Sequence, residues 1–199
     1  MSKKTDQVTP TLYDAELVND FITVQRILGT IEYAQEEAKQ TENEMLKKIS
    51  SYKTDDEVIV NPAHLPVSEN DNILRNSFDS QLKKVQSAQL KEHGLSTIRD
   101  LQAKNNAKYL NKKVTIKLTD SKYKPFHNHW FNQNTGEDKL SPNKSKSISG
   151  KISQINFTEN YIVIKPGRFK SLISKALVEQ VVEVMSFSDN RSMINILFN

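Results

Sequence analysis

Ile148-Ser-Gly-Lys-Ile-Ser-Gln-Ile-Asn-Phe-Thr158, followed after a two-residue turn by Tyr161-Ile-Val-Ile-Lys165, decides how this chain reads. The first segment places Ile148, Ile152 and Ile155 on one side, and Gly150 allows a tight bend. The second is nearly all apolar, as a central strand is. Upstream, Lys113-Val-Thr-Ile-Lys-Leu-Thr119 alternates Val114, Ile116 and Leu118 with Thr115, Lys117 and Thr119, so one face is buried and one is wet. Downstream, Pro166-Gly167 turns the chain toward Leu172-Ile173 and Val181-Val-Glu-Val-Met-Ser186. Together, Lys112 to Ser186 read as a small β-barrel.

The rest of the sequence divides by charge. Residues 1–100 carry 12 Lys/Arg against 17 Asp/Glu, and residues 101–199 carry 16 against 7. An acidic half joined to a basic half suggests two tasks. The apolar fraction of 36% is low for one globule of 199 residues, so modest cores are expected. There are no cysteines, which removes disulfides and thiolate metal ligands and fits a reducing compartment. Met1-Ser-Lys-Lys-Thr-Asp6 is no signal peptide, and no run approaches the roughly 18 apolar residues of a membrane helix. The expectation is a cytoplasmic protein with no membrane partner.

Residues 1–10 read as a disordered tail, and 11–110 as an acidic helical domain. Thr11 and Asp14 form a start signal. Apolar positions then step by 4 and 3: Leu17, Phe21, Val24, Leu28, Ile31, Gln35, Ala38, Glu42, Met45, Ile49, Tyr52. This is a narrow seam whose middle is weakened by the polar Gln35 and Glu42, which leaves room for a break near Gln40–Asn43. It pairs either within the chain, as a long hairpin, or between copies as a homo-oligomer through Leu17–Tyr52. Asn61-Pro62 and Leu65-Pro66 make 53–70 a connector. Ser68 or Asp71 then caps a second helix with Leu74, Phe78, Leu82, Val85 and Ala88 on its packed face, ending at Gly94 as a C′ glycine. Ser96 caps a third, short helix. Glu92-His-Gly-Leu-Ser-Thr-Ile98 also fits a helix-turn-helix reader, with Arg99, Lys104, Asn105, Asn106 and Lys108 toward a groove. Ordinary caps explain the same residues, and the acidic surroundings favour them.

Residues 111–199 form the basic domain. Tyr109-Leu-Asn-Lys-Lys-Val-Thr-Ile-Lys-Leu-Thr-Asp120, the glycine-bearing strand at 148–158, Asn160-Tyr-Ile-Val-Ile164 and Leu172 to Val184 resemble an Sm-like barrel. Small Sm-like modules of bacterial proteins, Hfq and YolD-like ones among them, share this outline, and SH3-type barrels give the same string. The resemblance covers about 75 residues. It implies a helix leading into the first strand, and a closing segment at 172–184. The family's RNA-contact residues have no counterpart in these loops, so what it implies is the fold. The expected class is therefore α+β: a helical hairpin of two to three helices, then a barrel with a long insertion, 120–147, between its first two strands. Ser192-Met-Ile-Asn-Ile-Leu-Phe198 is an extra strand-like tail.

Residues 121–147 of that insertion carry five lysines, two acids and four aromatics: Tyr123, Phe126, Trp130 and Phe131. Aromatics among cations stack on bases while lysines follow phosphates. They also anchor protein partners, or tuck back to close the barrel's end. The candidate binding set is Lys112, Lys113, Lys117, Lys122, Tyr123, Lys124, Phe126, Trp130, Phe131, Lys144, Lys146, Lys165, Arg168 and Lys170. His127 and His129 share a face of an extended segment and would need a third metal ligand from His64, His93 or Asp138. Glycine-rich phosphate loops, nucleophile elbows and zincin motifs are absent, and no cofactor is expected. The leading reading is a non-enzymatic protein that binds RNA or DNA through its basic barrel, with the helical half for oligomerisation or a protein partner. A structural or adaptor protein of a phage, plasmid or other assembly is the alternative. A metal-dependent hydrolase using His127 and His129 is the second.

Overall fold

A computed structural model describes residues 12–13, 15–51, 67–119, 124–132, 134–166, 171–172, 175–184 and 194–198. The chain is α+β. Two helices, α1 (Ala15–Ser51) and α2 (Val67–Tyr109), precede most of a nine-stranded antiparallel sheet. Its strands are β1 (Leu12–Tyr13), β2 (Lys113–Leu118), β3 (Phe126–Asn132), β4 (Asp138–Pro142), β5 (Ser147–Asn156), β6 (Tyr161–Pro166), β7 (Ser171–Leu172), β8 (Lys175–Glu183) and β9 (Ile194–Phe198). The order across the sheet is β1-β9-β2-β5-β6-β8-β3-β4, with β7 beside β8. The sheet is open, and barrel closure is not shown among the described residues. The tail at 1–10 lies outside those residues, as does the expected connector 53–70 up to residue 66; its last four residues, 67–70, are helical and open α2.

Compactness divides the chain at places other than residue 110. One unit joins residues 1–25 to 98–199, and the other is 26–97. Each helix contributes to both. In the sheet unit, the seam of α1 packs inward: Leu17, Phe21 and Val24 are buried, and the Phe21 ring lies 4.4 Å from that of Phe157. Gln25 Nε2 donates to the Phe157 carbonyl (2.7 Å), and Gln102 Nε2 to that of Ile155 (2.7 Å). These bonds satisfy carbonyls at the end of β5 and just beyond it. Tyr109 is buried against the Phe198 ring at 5.0 Å. The core continues through Val114 and Ile116 on β2, Ile148, Ile152 and Ile155 on β5, Ile162 and Ile164 on β6, Val182 on β8, and Ile194 and Ile196 on β9.

In the unit 26–97, α1 and α2 run antiparallel, joined by Lys83–Glu37 (3.0 Å) and Lys84–Glu42 (2.5 Å). Several expectations are corrected here. Helix α1 continues through Gln40–Asn43 without a break. Helix α2 begins at Val67, so Ser68 and Asp71 lie inside it. It also runs through Gly94 and Ser96, so the expected third helix is part of α2 and no helix-turn-helix forms at 92–98. Gly94 is buried because a Cβ there would meet Ile31 Cδ1 at 2.7 Å and Ile27 Cγ2 at 2.9 Å. The glycine serves close helix approach and does not cap. The expected packed face of α2 is the exposed one: Leu74, Phe78, Leu82 and Val85 lie outside, while Ser80 is buried.

Two further corrections concern the sheet. The expected closing segment, β8, pairs with β6 and β3, while the tail strand β9 pairs with β2. Within the insertion, β3 and β4 pair as a hairpin that extends the sheet from β8. Gly150 lies in regular register opposite Val114 and Pro166; the irregularity falls between Ile152 and Gln154, where Ser153 is the extra residue of a bulge. A Cβ at Gly150 would stand 2.2 Å from the Lys165 carbonyl oxygen. Close passage of β6 therefore requires the glycine.

Candidate nucleic-acid interface

The register of three neighbouring strands builds the site. Lys113 on β2 stands opposite Lys151 on β5, and Lys151 stands opposite Lys165 on β6. Directly opposed residues of antiparallel strands point to the same face, with Cβ atoms roughly 5 Å apart. All three side chains are exposed, and none forms an ion pair with a described residue. Opposed like charges oppose strand pairing, so this row costs stability unless an anion covers it.

The row borders an open cleft of about 440 Å³ lined also by Val114, Ser149, Gly150 and Pro166. Gly150 adds no side chain there. Two residues along β2, Thr115 Oγ1 lies 3.0 Å from Ser149 Oγ on the same outward face, and Lys117 follows opposite Ser147. The face thus offers ammonium groups at two levels with hydroxyls between them. Lysine supplies a mobile point charge and hydroxyls supply short donors, which together suit phosphate oxygens.

The structure brings Lys113, Lys117 and Lys165 together and adds Lys151, which sequence reasoning missed. Lys151 was hidden because its two neighbours in the row come from residues 38 positions before it and 14 after it. Lys112 lies beside this group, its Nζ 6.0 Å from the buried Tyr109 ring. The Lys146 carbonyl accepts from Leu118 N–H at 3.0 Å, which holds the backbone of Lys146 at the far end of β2. Lys124 precedes β3 and Lys144 follows β4, both exposed and neither on the row's strands. Lys122, Tyr123, Arg168 and Lys170 lie outside the described residues.

The described aromatics, Phe126, Trp130 and Phe131, do not form one platform. Phe126 is fully buried opposite Val182 and belongs to the core. Trp130 and Phe131 are consecutive on β3, so they point to opposite faces. Trp130 is half-buried and donates from Nε1 to Ser141 Oγ at 3.1 Å, while Phe131 is exposed. The two histidines share the other face, as their spacing requires, yet each has its own acid. His127 Nδ1 is 3.7 Å from Glu183 Oε1, and His129 Nε2 is 3.0 Å from Asp138 Oδ1. Among the described residues no group of three candidate ligands converges on a metal position; His64 lies outside them.

No protein family, curated protein or solved structure matches the chain. No described helix is long and apolar enough to cross a membrane.

Proposed function

We propose that the chain is a nucleic-acid-binding protein that holds a phosphate backbone along the lysine row Lys113–Lys151–Lys165. The observation that carries this reading is the direct opposition of three exposed lysines on adjacent strands, none in an ion pair with a described residue. The net basic charge of residues 101–199 supports it by favouring encounter with a polyanion. Binding through this row is read as sequence-independent, because the row offers lysines and hydroxyls suited to phosphates and no described group in it is arranged to contact base edges.

We also propose a small SH3-type barrel as the finer fold. Its support is the return of β9, the last strand, to the side of β2, the first strand of the basic half. That connection makes β2 an interior strand, as barrel formation requires. Binding by this face involves no chemical step.

The test is a salt titration of fluorescence anisotropy with a single-stranded oligonucleotide. Three contacted phosphates give a log–log slope of about −2, and Lys151→Ala reduces its magnitude by about 0.7. Absence of binding at about 50 mM salt overturns the reading, as does a Lys151→Ala slope equal to wild type.

A further inference from the structure

Helix α2 leaves an apolar stripe uncovered. Leu74 is 62% exposed, Phe78 65%, Leu82 43% and Val85 54%, and all belong to the unit 26–97. Their spacing of 4, 4 and 3 aligns them along one line of the helix. Asn76, Ser80, Ser87 and Gly94 form another line about half a turn away at 3.6 residues per turn. That second line faces α1: Ser80 and Gly94 are buried there, and Lys83–Glu37 and Lys84–Glu42 set the rotation of the helix. The hairpin therefore packs its small and polar side and presents its large apolar side.

We infer that this stripe joins a second copy of the chain, antiparallel, about a two-fold axis near residue 80. The spacing supports self-association. A two-fold contact requires that residue i meet j while j meets i. Reversing the helix about residue 80 lays Leu74 over Val85 and Phe78 over Leu82, with both pairs in the same register to within one residue. Asp71 and Glu92 lie on the same line beyond the two ends of the stripe, so the contact is about 17 Å long and ends where its own copy ends. Burying the four side chains removes on the order of 450 Å² of surface per chain. With the exposed flanking residues Arg75, Gln81 and Gln89, the pair reaches the roughly 1,000 Å² total that a specific interface needs. A lipid surface suits the stripe poorly. Lys83 and Lys84 already pair with Glu37 and Glu42, and acids stand at both ends, so among the described residues Arg75 flanks the stripe without a cationic collar around it.

The test uses the full chain in sedimentation equilibrium. Wild type is expected to be a concentration-dependent dimer. Phe78→Glu, an exposed change that should leave the helical circular dichroism intact, should raise the dimer Kd at least tenfold. The chain has no cysteine, so single introduced cysteines report the register. Gln81→Cys, close to the axis, should form an inter-chain disulfide under mild oxidation, whereas Leu74→Cys, about 17 Å from its own copy, should not. A monomer at all concentrations overturns the inference, whether or not the chain then binds vesicles or another protein. A dimer insensitive to Phe78→Glu overturns it too, as does one in which Leu74→Cys crosslinks to itself. Oligonucleotide binding is read separately, since the lysine row lies on other residues.

Discussion

Glu16 shows how one side chain ties the two helices together inside the sheet unit. Lys104 Nζ lies 2.6 Å from Glu16 Oε1, Lys108 reaches Glu16 Oε2, and Asn105 donates to Asp20 Oδ2 at 2.9 Å. The hydrogen bond from Lys104, then that from Lys108, lowers the Glu16 carboxyl from 4.5 to about 2. The same contact with Glu16 raises Lys104 above 10.5. A depressed carboxyl stabilises the fold above its unfolded value, so this contribution is complete above pH 4.5 and fades as pH falls toward 2. The raised lysine adds stability that is complete below 10.5 and is lost as pH climbs past its folded value. The pairs are exposed, so the effect is small. Glu16→Gln should lower the melting temperature by at most a few degrees at pH 7 and should match wild type near pH 2. A deficit at pH 2 as large as that at pH 7 would show that the carboxylate charge is not the cause.

Among elements, α2 departs furthest from its sequence pattern. Leu74, Phe78, Leu82 and Val85 satisfy the helical period, and periodicity does identify the helix. It says nothing about whether an apolar line meets its own chain or another. Rotation was decided by contacts distant in sequence: Gly94 against Ile27 and Ile31, and two lysine–glutamate pairs. Gly94 was misread as a terminator because a glycine needed for close approach and one needed for a left-handed turn look alike in sequence. Gly94→Leu should destabilise the helical unit by about 1–3 kcal/mol through overpacking. The check is a urea transition followed by far-ultraviolet circular dichroism, and an unchanged midpoint would refute the close-approach role. The insertion illustrates the opposite case. Its length marked it as unusual, and Phe126 alone among its described aromatics is fully buried. The pairing of β3 with β8 rests on residues about 50 apart, beyond any local pattern.

At the level of the molecule, the compact units cut across the helices. Leu17, Phe21 and Val24 belong with the sheet because Phe157 and the neighbouring carbonyls need cover. Excising 26–97 and joining Gln25 to Ile98 with a short glycine-serine linker should therefore leave a cooperatively melting sheet unit that still binds oligonucleotide. Removing residues 1–25 instead should abolish that transition. If the excised protein fails to melt cooperatively, the unit boundary drawn here is wrong.

The α+β class, the strands at 113–118, 148–156 and 161–165 and the basic character of the second half are legible in the amino-acid order alone, because alternation, helical period and net charge are local or additive properties. The same order also marked Lys113, Lys117 and Lys165 as exposed cations. That β9 lies beside β2, that Lys151 completes the row, and that the apolar side of α2 faces outward emerge from the folded chain. Each of these depends on which distant segments meet. Hydrogen-bond register and side-chain packing select those partners, and neither is written in any one stretch of the chain.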